Sequence, residues 1–240
     1  MDFDNPGFRL LNLLEQGKKI PANKVCRDAW SELLDAPVAS PQLLGRLGKV
    51  MELVAIVETE IREAYPDEAS TCEHWTSQVK AAFMNQHLQG EWDTFIAHID
   101  GHSLNYLRMQ ARMLQMLSNA KSVEYEVLEQ SRNDLNDILN ELLASEIDFE
   151  VKKYLSRNLR GLIAAIDEYK LTGTTGLFDS IEILVGHSFF DSKYKKSIKE
   201  TKIGQKIIDT IGLLADAMTI ATGLPQIGGA ISNLIALSQK

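Results

Sequence analysis

The sequence predicts an all-α protein, a multi-helix bundle of about ten helices that ends in a hydrophobic helical hairpin. Three observations lead there. Apolar residues recur at intervals of three and four along nearly the whole chain, which is the spacing of one face of an α-helix. Helix punctuation recurs as well, with Asn5-Pro6 and Ser40-Pro41 as cap-and-proline starts and Gly17, Gly173, Gly186 and Gly223 as stops. Finally, no run alternates apolar and polar residues as a half-buried strand would, and Asp100-Gly101 has helical pattern on both sides, so it is not a hairpin turn.

The elements follow in order. Asn5 caps a helix through Leu10, Leu11, Leu13 and Leu14 that stops at Gly17. A second follows Asn23, carries Ala29, Trp30, Leu33 and Leu34, and is halted by Pro37. Ser40-Pro41 opens a long helix whose core face is Leu43, Leu47, Val50, Val54, Val57 and Ile61, and Pro66 forbids its continuation. Residues 71–88 form the next, and a short helix from Trp92 to Ile99 precedes Gly101. The following helix runs through Leu104, Leu107 and Leu114 to about Asn119. Ser122 is placed to cap another, with Leu128, Leu135, Ile138, Leu139 and Leu142 facing inward. Ser145 or Asp148 restarts the chain into the strongly periodic Val151–Tyr169 stretch, Gly173 ends it, and Thr174 caps a helix that closes at Gly186.

The C-terminal stretch departs in composition from the rest. Residues 191–206 hold six lysines (Lys193, Lys195, Lys196, Lys199, Lys202 and Lys206) against Asp191 and Glu200, a net charge of +4, whereas residues 1–190 carry −11. Then comes an apolar segment from Ile207 to Leu237 whose only charges are Asp209 and Asp216. Lys202, Gln205, Asp209, Gly212, Asp216, Thr219 and Gly223 share one helix face, leaving a narrow polar or small stripe on an otherwise apolar cylinder. Gly223-Leu224-Pro225 turns the chain into a second helix running to about Ser238. Composition therefore divides the chain into an acidic helical bundle over 1–145, a helical hairpin over 146–190, and the Lys-rich segment with its hydrophobic hairpin over 191–240.

A helix so apolar must be surrounded, and three environments can do it: the protein's own core, a lipid bilayer, or another copy of the chain. The residues that would meet a membrane or partner are Lys193, Lys195, Lys196 and Lys199, with Ile207, Ile211, Leu214, Met218, Ile231 and Leu234 behind them. Asp209, Gly212, Asp216 and Thr219 would form a pore-lining or interface stripe. Basic-then-apolar ordering over about 45 C-terminal residues is similar, in architecture alone, to the helical pore-forming toxins that hide a hydrophobic hairpin until triggered. That resemblance implies a bacterial toxin or defence effector, without enzymatic activity. The alternative is a helical adaptor that keeps the hairpin as core and binds another protein.

Catalytic and cofactor signals are thin. His98 and His102 stand four apart with Asp93, Asp100 and His87 nearby, a spacing that suits a metal on one helix face, yet Gly101 lies between them and no HExxH glutamate is present. They are the residues a third reading, a metal-dependent enzyme, would use. Thr172-Gly173-Thr174-Thr175-Gly176 lacks the lysine and preceding strand of a phosphate loop and reads as a turn. No cofactor is expected. A formal charge of −8 argues against nucleic acid as a partner, so a protein, a second copy, or a membrane through residues 193–238 is expected instead. Cys26 and Cys72 have no CxxC spacing, and Met1 to Pro6 resembles no signal peptide. The expected place is the cytoplasm, peripheral to or inserted at the inner face of a membrane.

Overall fold

The computed structural model describes residues 4–118 and 120–223. Among them are eleven α-helices, two short 3-10 turns and no strand; a single antiparallel bridge joins Val25 and Glu91. The chain divides into two compact units, one of residues Phe3–Asn119 and one of Ala120–Lys240 together with Met1–Asp2. The second helix of the expected hairpin, residues 225–238, lies outside the described residues.

The first unit holds α1 (Pro6–Gly17), α2 (Cys26–Leu34), α3 (Pro41–Ala64), α4 (Cys72–Asn85), the four-residue α5 (Asp93–Ile96) and α6 (Gly101–Leu117). The two cap-and-proline starts form as the sequence demands: Asn5 Oδ1 accepts from Phe8 N at 2.9 Å, and Ser40 Oγ from Leu43 N at 3.3 Å. Elsewhere the boundaries move. α2 starts after Val25, not Asn23, because Cys26 N donates to Gly90 O at 2.8 Å and Trp92 N to Lys24 O at 2.7 Å, tying this corner to the loop before α5. It ends at Asp35 in the left-handed conformation (φ 50°), two residues before the proline expected to stop it. Gly101, read as the end of a helix, is instead the first residue of α6, whose cap is Asp100: its Oδ1 accepts from Ser103 N at 2.6 Å.

Trp30, Trp75 and Trp92 are all buried, and each indole N–H finds an acceptor: Gln86 Oε1 at 2.8 Å, Gln110 Oε1 at 2.7 Å and Gly17 O at 2.9 Å. Trp30 packs edge-on against Trp92 and Phe95, with centroids 5.0 and 4.7 Å apart. α1 lies close on α6, since a methyl at Gly7 would stand 2.9 Å from Ala111.

The second unit holds α7 (Tyr125–Ala144), α8 (Phe149–Asp167), α9 (Tyr169–Gly186), α10 (Ser192–Glu200) and α11 (Lys202–Thr222). α7, which composition places with the N-terminal bundle, shares one core with α8 to α11: Leu135, Ile138 and Leu142 join Leu155, Leu159, Leu162, Leu177, Ile181, Ile207, Ile211, Leu214 and Met218. The chain leading into α7 is pinned there too, Lys121 N donating to Ala221 O at 2.7 Å and Val123 N to the Tyr169 hydroxyl at 2.9 Å. Glu124, not Ser122, stands at the N-cap, with no side-chain cap. Asp148 does cap α8. α9 runs from Tyr169 but is broken at Gly173 (φ 64°, ψ −158°), a region open only to glycine, so the sequence signal for a stop survives as a kink.

Candidate functional site

α10 is a nine-residue helix held by two side chains. Asp191 caps it, Oδ1 accepting from Lys193 N at 2.9 Å and Tyr194 N at 3.1 Å. Tyr194 and Ile198 are its buried residues, four apart on one face, and Tyr194 donates its hydroxyl to Leu184 O at 2.8 Å. Burial pushes the Tyr194 phenol up to about 12, with a hydrogen bond from Asn158 opposing and Asp191 adding to the rise. At 100° per residue, Lys193, Lys196 and Lys199 fan across the half of the helix opposite these anchors, while Lys195 lies on the flank beside Ile198 and is half-buried.

Some of the lysines are engaged. Lys193 Nζ lies 3.6 Å from Asp148, Lys196 3.9 Å from Glu200, and Lys206 pairs with Glu141. Lys195, Lys199 and Lys202 form no ion pair among the described residues. A shallow groove of about 410 Å³ runs beside α10, lined by Asp148, Val151, Lys193, Lys196, Ser197 and Thr201 among others. The Asp148–Lys193 pair joins the start of α8 to the start of α10, and each start carries an exposed aromatic: Phe149 is 73% and Phe190 89% accessible. Phe189 is exposed as well. Just behind them, the His187 ring stacks on Tyr154 at 4.4 Å and meets Tyr194 edge-on at 4.7 Å, stiffening the passage from α9 into α10.

The corner from α10 into α11 has almost no room. Thr201 caps α11 through Gly204 N at 2.9 Å, and a methyl group at Gly204 would collide with the carbonyl of Ile198 and come within 2.5 Å of Ser197 O. α11 itself turns Ile207, Ile211, Leu214 and Met218 fully into the core of this unit. Its small and polar stripe faces outward: Asp209 and Asp216 are exposed, Gly212 and Thr219 half-exposed, and Gly212 has open space where a side chain would project. Ile231 and Leu234 lie outside the described residues. No helix among the described residues is long and apolar enough to cross a membrane.

The histidine pair is rearranged. His102 faces His74, centroids 6.5 Å apart, with Ser70, Thr71 and Tyr106 around a pocket of about 290 Å³, and His98 does not line it. His74 Nε2 lies 3.0 Å from Asp100 Oδ2. Asp100 is held down at about 2, first by the Ser103 backbone N–H and further by the Ser103 hydroxyl and His74. Among the described residues no group of three or more His, Cys, Asp or Glu side chains could hold a metal ion. Cys26 and Cys72 are free and buried; burial pushes the Cys26 thiol up to about 11 and raises that of Cys72.

Residue spacing missed Phe149 and Phe190, because neither belongs to a core stripe. Their signal was position: each sits beside an aspartate that caps the helix next to it. Compared with known proteins, the chain matches no family model, no curated protein and no solved structure.

Proposed function

We propose that the chain is a non-enzymatic helical protein that acts by docking, laying the lysine face of α10 on an acidic surface while α11 stays in the core of its unit. The observation that carries this reading is the division of α10: Tyr194 and Ile198 are buried, Lys193, Lys196 and Lys199 occupy the opposite half, and Lys195 stands on the flank. Three of the six lysines of residues 191–206 lack an ion-pair partner among the described residues, so the positive charge is not consumed by the acidic chain that carries it. Each such lysine contributes about 1 kcal/mol against an anionic surface, within roughly one Debye length.

Engagement by α11 itself is the costlier route. It would pull Ile207, Ile211, Leu214 and Met218 out of the core, at about 1.5–3 kcal/mol for each side chain. A toxin or defence effector that releases this helix would need a trigger supplying that difference. The enclosure of the same four residues also favours a helical adaptor, which would keep α11 as core and meet a protein by the same lysine face.

The test is association of the full chain with beads carrying dextran sulfate or polyglutamate. The expected result is binding that falls with added salt and is lost in the double variant Lys195→Glu/Lys199→Glu, whose far-ultraviolet circular dichroism is unchanged. Equal retention of wild type and variant contradicts the proposal.

A further inference from the structure

We infer that the acidic surface is an anionic lipid bilayer, and that Phe149 and Phe190 enter its interfacial layer beside the lysines of α10. The inference rests on the docking reading above and adds the identity of the surface. Phe190 is 89% and Phe149 73% accessible, and Phe189 is exposed beside Phe190, so three rings lie within two residues of the capping Asp148 and Asp191. Phe149 and Phe190 occupy fixed places. Phe149 opens α8 directly after its capping Asp148, Phe190 directly precedes the capping Asp191, and the Asp148–Lys193 pair at 3.6 Å ties the two helix starts together.

An acidic protein would satisfy the lysines but would need a separate apolar pocket for each ring. A bilayer interface offers headgroup phosphate and acyl carbon within a few ångströms of one another, so rings enter while lysine stems lie along the boundary with their ammonium groups at the phosphates. The carboxylates of this corner do not cancel the attraction. Across residues 146–153 and 191–202, Lys152, Lys153, Lys193, Lys195, Lys196, Lys199 and Lys202 outnumber Glu146, Asp148, Glu150, Asp191 and Glu200 by two. No described helix is long and apolar enough to cross a membrane.

The experiment is flotation of the full chain with vesicles of phosphatidylcholine alone or of phosphatidylcholine with one third phosphatidylserine, joined to quenching of a Phe190→Trp variant by brominated lipid. Trp30, Trp75 and Trp92 are buried and supply an unquenched background. The expected result is flotation with the anionic vesicles only, weakened about tenfold or more in Phe149→Ser/Phe190→Ser, with the added indole of Phe190→Trp quenched on binding. Lysine-dependent flotation that ignores the Phe149→Ser/Phe190→Ser change, without quenching, overturns ring insertion and leaves charge docking intact. Binding to polyglutamate beads but to neither vesicle overturns the bilayer and points to an acidic protein. Failure to bind either vesicles or beads removes the docking reading itself.

Discussion

The Tyr194 hydroxyl donates to the carbonyl oxygen of Leu184 at 2.8 Å, so the helix that carries the lysines is fastened by one phenol to the last turns of the helix before it. The bond is buried, and the Leu184 carbonyl that accepts it belongs to α9 in the core of the unit. Tyr194→Phe keeps the ring and removes the donor, and the expected loss is about 1 kcal/mol in urea unfolding. Tyr194→Ala also leaves a cavity and costs about 3–5 kcal/mol. Because the folded phenol is raised to about 12 from an ordinary value of 10, its contribution to stability is complete below pH 10 and declines as pH rises through 10 to 12. A spectrophotometric titration at the tyrosinate band checks this: one late-ionising phenol of the wild type should be missing from Tyr194→Phe.

Two glycines of α11 should respond in opposite senses. Gly204→Ala drives a methyl into the backbone of Ile198, which cannot move aside without shifting α10, and the expected cost is at least about 1–3 kcal/mol. Gly212→Ala projects into open space on a helical residue, so it should be neutral or stabilise by up to about 1 kcal/mol. Thermal unfolding of the two variants side by side is the check.

Asp100 caps α6 and faces His74, with its carboxyl at about 2 in place of the ordinary 3.8. A lowered carboxyl stabilises the folded state above the unfolded value and loses that contribution as pH falls from about 4 toward 2. Asp100→Ala should therefore cost about 1 kcal/mol at neutral pH, with the gap to wild type closing across that acid window. Chemical denaturation at neutral pH and at two points inside the acid window measures it.

Cys26 and Cys72 are free and enclosed, and burial raises both thiols. The expectation is little reaction with a disulfide reagent at mildly alkaline pH in the folded protein and rapid reaction of both in denaturant. A fast-reacting native thiol would place one of them outside the packed interior.

Much of the fold was readable because its signals are local. Asn5-Pro6, Ser40-Pro41 and Asp148 cap helices through contacts two or three residues away, and Gly173 and Gly223 have the positive φ that their places required. Where the sequence misled, the cause lay in distant residues. α2 begins where the Gly90–Trp92 loop anchors it, with Cys26 N bonded to Gly90 O and Trp92 N to Lys24 O. The division at Asn119/Ala120 escaped composition because α7 is acidic outside, like the preceding helices, while its apolar face packs on α11. At the candidate site, the lysine run and the α11 stripe were visible as periodicity. Phe149 and Phe190 were not, since both are exposed and belong to no core stripe, and the Asp148–Lys193 pair that links the starts of α8 and α10 is a long-range contact. His102 was paired with His98 by sequence, whereas its ring neighbour is His74 on α4.

Amide hydrogen exchange of the full chain, free and bound to phosphatidylserine-containing vesicles, tests most directly that α10 docks while α11 remains core. Slowed exchange is expected at the starts of α8 and α10 alone, with protection across Ile207 to Met218 the same in both states. Loss of that protection on the vesicle would contradict docking by α10 over an intact core, and would show that α11 leaves the bundle to reach the lipid.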